Sequence, residues 1–166
     1  MTKVLGLVLV FSCGLFAGWG RALSLEREAN KAGLWRDFLR QFKNCLETTR
    51  AAPGEIVRML AKETAFTDNE AVQAMAASFR QSGSFAQAVQ TAIQKGRKPG
   101  AVENILLSLG DTVGVKPLPE QLSALGGAEL LLEREWELAG ERSRRYGGLS
   151  KRLGALLGLL AVVVLA

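Results

Sequence analysis

Two uncharged apolar runs lie at the ends of the 166-residue chain, and a charged segment with helical periodicity separates them. The first run is VLGLVLVFSCGLFAGWG (Val4–Gly20), and the second is LGALLGLLAVVVLA (Leu153–Ala166). A spanning helix needs roughly 20 apolar residues, with a lower bound of about 17. The first run meets that bound with its seventeen residues. The second has fourteen, which is about 21 Å of helix. The pattern predicts a transmembrane segment over residues 1–23 and a short one over residues 149–166.

Each end also has an alternative that does not span a bilayer. The N-terminal run can be a cleaved signal peptide, although Lys3 is its only preceding charge and no A-x-A site follows. The C-terminal run can be a core helix. Snorkelling of Lys151 and Arg152 favours the membrane interpretation, because their stems can lie in the apolar zone while their charges stay at the surface.

The segment from residue 24 to 148 predicts a cytoplasmic helical domain. Apolar residues recur at helical spacing, and no alternating strand pattern competes. The fold class is therefore all-α, a small bundle of about six helices between the two terminal segments. The predicted inward faces are Trp35, Phe38, Leu39, Phe42 and Leu46; Ile56, Met59 and Leu60; Val72, Met75, Ala76 and Phe79; Phe85, Ala88, Val89, Ala92 and Ile93; Val102, Ile105, Leu106, Leu109 and Val113; Leu122, Leu125, Leu132, Trp136 and Ala139.

Helix start and stop signals divide this domain. Pro53 fits the first turn of the second helix. Thr67 with the glutamate three residues later predicts a capping box for the third helix, and Gly83 predicts its end. Ser84 with Gln87 predicts a second capping box for the fourth helix.

The basic residues that flank the runs predict the topology. Arg21 follows the first run, whereas Arg144, Arg145, Lys151 and Arg152 precede the second. The positive-inside rule therefore predicts a cytoplasmic middle and two termini across the membrane.

Each apolar run carries a GxxxG pair, formed by Gly14 with Gly18 and by Gly154 with Gly158. Small residues at this spacing let helix backbones approach closely in lipid. We expect transmembrane packing at these four glycines, within one chain or between chains. The alternative is that glycine is simply frequent in spanning segments, and the sequence does not decide between the two.

Composition narrows the function classes. The net charge of +5 suits a membrane protein with a cytoplasmic body, and basic residues do not interleave with aromatic ones as nucleic-acid binding would require. Histidine is absent, and so are CxxC, phosphate-loop and GxSxG motifs. We therefore expect no enzyme, no catalytic residues, no cofactor and no metal. Glu63 and Asp68 are the one carboxylate pair that an enzyme hypothesis could use.

The stretch LEREWELAGERSRRYGG (Leu132–Gly148) holds four glutamates, Glu133, Glu135, Glu137 and Glu141. Such runs usually form a solvated helix face, although they can bind a basic partner. Glu141 with Arg145 is a favourable i,i+4 pair.

The order of these features resembles the stage III sporulation protein AB family of endospore-forming bacteria. The resemblance rests most on LSLGDTVG (Leu107–Gly114), Gln121 seven residues later, the glutamate-rich helix and the closing KRLGALLGLLAVVVLA. SGSFAQAVQTAI, LWRDFLRQF and EIVRML are similar as well. Pro117 and Val89 depart from the family pattern, and both affect local loop and packing details.

The resemblance implies a membrane component of the machinery that links the mother cell and forespore, in the mother-cell membrane facing the forespore. Family members resemble the platform proteins of type II secretion and type IV pilus systems. The implied partners are other stage III sporulation membrane proteins, a cytosolic secretion-type ATPase and the lipid bilayer, with homo-oligomerisation left open and no nucleic acid. The alternative function is a membrane-anchored helical regulatory protein that binds a partner helix in a groove.

Overall fold

A computed structural model describes the backbone of residues 2–93 and 99–165, and the side chains of residues 20, 23–93, 99–146 and 156. Within these ranges the protein is all-α, with six helices and no strand. The helices are α1 (Thr2–Thr49), α2 (Pro53–Leu60), α3 (Glu70–Ser82), α4 (Phe85–Ala92), α5 (Ala101–Ser108) and α6 (Leu118–Leu165). The all-α prediction is confirmed.

The two predicted membrane segments consist mostly of residues whose side chains the structure does not describe. Among the residues described, the structure contains no helix whose length and apolar content would let it cross a bilayer. Most side chains of the two apolar runs lie outside this part of the chain, so the two spanning segments stay predictions.

Contacts group the chain into two compact units. One, the body, comprises residues 32–135, and the other, the end unit, comprises residues 1–31 with residues 136–166. In the end unit, Ala29 and Ala139 are buried. The body contains helices α2 to α5 and the adjoining portions of α1 and α6.

The core of the body is built around a chain of aromatic rings. The ring of Phe38 lies 5.5 Å from Trp35 and 5.6 Å from Phe66, in edge-to-face geometry. Phe42 lies 6.1 Å from Phe38 and 5.7 Å from Phe85. These separations suit favourable aromatic pairing. Trp35, Phe38 and Phe42 are spaced so that they share one face of α1, and this predicted face is confirmed.

The start of α3 differs from the predicted capping box. The side-chain oxygen of Asn69 accepts hydrogen bonds from the backbone N–H groups of Ala71 and Val72, both at 3.1 Å. The Thr67 hydroxyl instead donates to the carbonyl oxygen of Glu63 at 2.8 Å. The prediction of Thr67 as N-cap is wrong, because Thr67 belongs to the preceding turn and Asn69, directly before the helix, is the stronger capping residue.

The junction between α3 and α4 is closer to the prediction. Gly83 ends α3 in the left-handed region at φ 64°, a conformation that glycine adopts without steric cost. Ser84 precedes α4 as expected, but its side chain forms no capping hydrogen bond. The second capping box therefore marks the boundary correctly and supplies none of the predicted bonds.

Two predicted inward residues are exposed instead. Met59 is 45% exposed because the buried face of α2 consists of Ile56, Val57 and Leu60. Met59 lies beyond the edge of that face, about 60° from Ile56 around the helix. Trp136 of α6 is 39% exposed. At these two positions hydrophobicity alone misidentified the buried side.

The fifth helix is shorter than its apolar pattern predicts. α5 ends at Ser108, whereas Leu109 and Val113 are buried in the turns that follow it. Residues in turns can be buried in a core just as helical residues can. The apolar spacing therefore continues beyond the end of α5, and the sequence pattern predicted too long a helix.

Candidate functional site: an ion-pair clamp and a basic groove

A cluster of charges clamps α1 to α6 within the body. Glu129 accepts hydrogen bonds at 2.8 Å from Lys43 Nζ and at 2.8 Å from Arg40 Nε. One turn further along α6, Glu133 lies 3.3 Å from Arg36 and 3.8 Å from Arg40. Because rising numbers on α1 pair with falling numbers on α6, the two helices are antiparallel here. The chain therefore enters and leaves the body at the same end.

The charges in this clamp hold one another ionised. The hydrogen bonds from Lys43 and then Arg40 lower the pKa of Glu129, against a smaller opposing effect of burial. The hydrogen bond to Glu129 raises the pKa of Arg40 in return. A carboxylate whose charge is stabilised in this way is a weak proton acceptor, so the arrangement is typical of a structural bridge.

An open groove of about 510 Å³ lies between α2 and α3. Three cationic side chains and one carboxylate surround it, and the remaining lining is mostly small or apolar. The lining residues are Glu55, Arg58, Met59, Ala61, Lys62, Gln73, Ala76 and Arg80. With three positive charges against one negative charge, we call this surface the basic groove.

The cations of the basic groove are available to a partner. Within the described part of the chain, none of Arg58, Lys62 and Arg80 forms an ion pair, and Arg58 Nε donates to the carbonyl oxygen of Gly54 at 3.1 Å. The exposed Met59 adds a flexible apolar surface of the kind that adapts to partner helices.

The groove has fixed walls. Gln73 Nε2, on α3, donates to the carbonyl oxygen of Ala61 at 2.7 Å, immediately after α2. On the same pair of helices, a Cβ added at Gly54 would lie 2.9 Å from a ring carbon of Phe79. The glycine thus permits α2 and α3 to approach closely.

The segment LSLGDTVG, which carried the family resemblance, has a packing role. A Cβ added at Gly110 would lie 2.9 Å from the Cβ and 3.1 Å from the Cα of Ala86 in α4. Any larger residue would push α4 away. This glycine is therefore required by a close backbone approach.

Gln121 closes the loop that follows this segment. Its Oε1 accepts a hydrogen bond from the N–H of Gly114 at 3.1 Å, and its Nε2 donates to the carbonyl oxygen of Lys116. Gly114 has φ 81°, in the left-handed region that favours glycine. The seven-residue spacing between Gly114 and Gln121 therefore lets the glutamine side chain hydrogen-bond to the backbone of the loop that precedes it.

The structure describes the side chains of only some predicted site residues. Arg144 and Arg145 are exposed, and Arg145 lies 4.0 Å from Glu141, which confirms the predicted i,i+4 pair. The others lie outside the residues whose side chains are described. They are Gly14, Gly18, Gly154, Gly158, Arg21, Lys151 and Arg152.

The carboxylates considered for an enzyme are at the surface. Glu63 and Asp68 are both exposed. In residues 2–93 and 99–165, as far as side chains are described, no group of three histidine, cysteine, aspartate or glutamate residues is arranged to hold a metal ion.

Sequence reasoning missed both the clamp and the groove. Glu133 was interpreted as part of a solvated face, yet it pairs across helices with α1. The signal in the sequence was the row of cations at helical spacing, Arg36, Arg40 and Lys43, on the helix that also carries the buried aromatic face. Arg58, on α2, and Lys62, in the turn directly after it, carried a similar i,i+4 signal.

Comparison with known proteins gives one match. The model of the stage III sporulation protein AB family matches residues 3–166. No curated protein and no solved structure matches the chain.

Proposed function

Because the chain belongs to the stage III sporulation protein AB family, with a role in stage III of sporulation, we propose that it is a non-enzymatic platform of the channel complex between mother cell and forespore. It sits in the mother-cell membrane facing the forespore, with its central domain in the cytoplasm. Its partners are other stage III membrane proteins and a cytosolic secretion-type ATPase.

The observation that carries this proposal is the antiparallel clamp. Arg36 and Glu133 pair 3.3 Å apart near the two limits of the body, residues 32 and 135. A body whose two chain ends leave on one side can be tethered to a single bilayer by both ends. The apolar runs beyond each limit supply the tethers in this proposal, and the basic residues beside them favour a cytoplasmic body.

The basic groove is the surface that we assign to the ATPase. Its three unpaired cations favour an acidic surface, and charge complementarity of this kind guides encounter and orientation. Met59 and the alanines of the groove provide apolar contact beneath these charges.

The test uses the full chain in lipid nanodiscs and the secretion-type ATPase from the same sporulation system. Calorimetry measures association with and without nucleotide. We expect binding that changes with nucleotide, and about a tenfold weaker affinity for the double variant Arg58→Glu, Arg80→Glu, because like charges then face each other. Arg50→Glu is the matched control, since Arg50 is an exposed cation outside the groove.

The outcomes separate the candidate functions. An affinity that is the same with and without nucleotide, but is still lower in the double variant, supports the second candidate. That candidate is a membrane-anchored regulator that binds a partner helix in the groove. Equal weakening by Arg50→Glu contradicts the assignment of the groove. Folded chain with no binding in any state rules out the ATPase contact.

Topology has a separate test. Two reporters are fused in turn after Gly100 of the full chain, one that is active only in the cytoplasm and one that is active only outside it. We expect activity from the cytoplasmic reporter alone. An extracytoplasmic signal at this position would contradict the cytoplasmic body and, with it, access to a cytosolic ATPase.

A further inference from the structure

The excess positive charge of the chain belongs to the end unit. Residues 1–31 and 136–166 hold nine lysines and arginines against four glutamates, a difference of +5. Residues 32–135 hold twelve cations and twelve carboxylates, so the body has no net charge. Attraction to an anionic surface through net charge is therefore expected of the end unit and not of the body.

Cations and aliphatic residues share one side of α6 in the end unit. At 3.6 residues per turn, four positions lie within about 60° of one another around the helix, and we call them the Arg145 row. They are Arg145, Leu149, Arg152 and Leu156. The side chain of Arg145 is 77% exposed, and Leu156 is 64% exposed. The row therefore presents an open cation and an open aliphatic side chain on the same side of the helix.

The spacing along the row fits the layers of one bilayer leaflet. At 1.5 Å per residue, Arg145 and Arg152 are about 10 Å apart along the helix axis, and Leu156 lies about 6 Å beyond Arg152. The headgroup layer of one leaflet is about 5–8 Å deep, since the whole bilayer is about 40–45 Å thick and its hydrocarbon core about 30 Å. The two cationic positions therefore bracket a layer of this depth, with Leu156 on the hydrocarbon side.

Arg145 has N–H donors available for an anion. Its contact with Glu141 is 4.0 Å long, which is too long for a hydrogen bond. A guanidinium can bind two phosphate oxygens through parallel N–H donors. Tyr146, directly after it, is 55% exposed, and tyrosine is enriched where a membrane meets water because its ring is apolar and its hydroxyl is polar. Both residues therefore suit the headgroup layer.

The neighbouring side of α6 carries cations without large aliphatic residues behind them. Arg144 and Lys151 are also seven residues apart, and they are turned about 100° from the Arg145 row. The next two positions on that side are Ala155 and Gly158. Small residues of this kind favour close packing between helices in lipid. This side therefore offers a matched set of charges without the apolar half of a lipid site.

We propose that the Arg145 row binds one anionic phospholipid, with its phosphate at the level between Arg145 and Arg152 and an acyl chain along Leu156. This inference rests on the proposed location of the end unit in the membrane. The occupant is a phospholipid because the row joins cations to an exposed aliphatic side chain. A free phosphate would leave Leu156 uncovered.

Native mass spectrometry of the full chain in detergent tests the site. The chain is titrated with phosphatidylglycerol, which is anionic, or with phosphatidylcholine, which has no net charge, and the spectra give the affinity for the first lipid bound. Two double variants each lose two cations seven residues apart. Arg145→Gln, Arg152→Gln lies on the row, and Arg144→Gln, Lys151→Gln lies beside it. Glutamine keeps a similar helix propensity, and circular dichroism checks that the helix content is equal.

We expect the wild-type chain to bind phosphatidylglycerol more tightly than phosphatidylcholine. A cation near an anionic membrane surface contributes roughly fivefold, so Arg145→Gln, Arg152→Gln should weaken binding of phosphatidylglycerol by about tenfold or more. Arg144→Gln, Lys151→Gln should weaken it by about threefold or less, because its cations act only through general attraction. The affinity for phosphatidylcholine should be the same in all three chains.

Equal losses in the two double variants would show general attraction and would overturn the site. Displacement of phosphatidylglycerol by an equal concentration of glycerol 3-phosphate would identify a free-phosphate site and overturn the lipid assignment. If the wild-type chain retains both lipids equally, this inference fails while the proposed membrane location stands. If it retains neither lipid, the membrane location fails with it.

Discussion

Replacing Glu129 by glutamine tests whether the ion-pair clamp stabilises the body. The side chain of Glu129 is 16% exposed, and its partners Lys43 and Arg40 are 28% and 51% exposed. Solvent screens the Arg40 contact strongly, so the Lys43 bond dominates the expected loss. A charge-assisted hydrogen bond in a partly buried site contributes about 1.5–3 kcal/mol, and the glutamine oxygen recovers part of it. We expect Glu129→Gln to lower the free energy of unfolding by about 1–2 kcal/mol.

Urea unfolding of the full chain in detergent, followed by circular dichroism, measures this change. Glu120→Gln is the matched control, since Glu120 on the same helix is 58% exposed and 3.8 Å from its cation. The control should lose less than about 0.5 kcal/mol. Combining Glu129→Gln with Lys43→Met should cost less than the sum of the two single changes, because both remove the same bond.

The clamp also predicts a pH dependence. The pKa of Glu129 is lowered in the folded protein, so its contribution is complete above its ordinary value of 4.5. That contribution disappears as the pH falls through the lower folded-state pKa. Wild-type protein should therefore lose more stability than Glu129→Gln in this acidic window. An identical urea midpoint and an identical acid slope for the two proteins would refute the reasoning.

Three further predictions concern packing and the thiol. Gly110→Ala should destabilise the body by about 1–3 kcal/mol, because the added methyl group clashes with α4. Gly126→Ala, with open space around its Cβ, should be neutral or stabilising by up to about 1 kcal/mol. Thermal unfolding of the two variants and the wild type measures both changes. Leu132→Ala should cost about 2–5 kcal/mol because that side chain is fully buried, and the half-exposed Leu138→Ala should cost less than about 0.5 kcal/mol in the same assay. Burial, with a smaller effect of a nearby glutamate, raises the pKa of Cys45, so in a chain without the other cysteine its alkylation should begin at higher pH than in urea; matching pH profiles would contradict this.

Much of the fold was predictable because its core uses local periodicity. Trp35, Phe38 and Phe42 repeat every three or four residues, and this spacing places them on one side of α1 whatever they contact. Their partners Phe66 and Phe85 were not predictable as partners, because nothing in a local pattern states which faces meet.

The missed features depend on contacts between distant segments. Glu129 and Lys43 are 86 positions apart, and each has an ordinary helical context in the sequence. Asn69 was missed for a different reason, since Thr67 offered a competing capping signal two residues earlier. The basic groove exists only where α2 and α3 approach each other, an approach that Gly54 permits and that no hydrophobic pattern records.

The antiparallel clamp also sets an order of events during synthesis. Lys43 leaves the ribosome 86 residues before Glu129, which is an interval of about 4–17 s at 5–20 residues per second. The ring contacts of Phe38 with Phe66 and of Phe42 with Phe85 can form within that interval, but the contacts between α1 and α6 cannot. Until α6 is made, Arg40 and Lys43 therefore lack the carboxylate of Glu129, and a chain that stops before residue 129 cannot form the clamp.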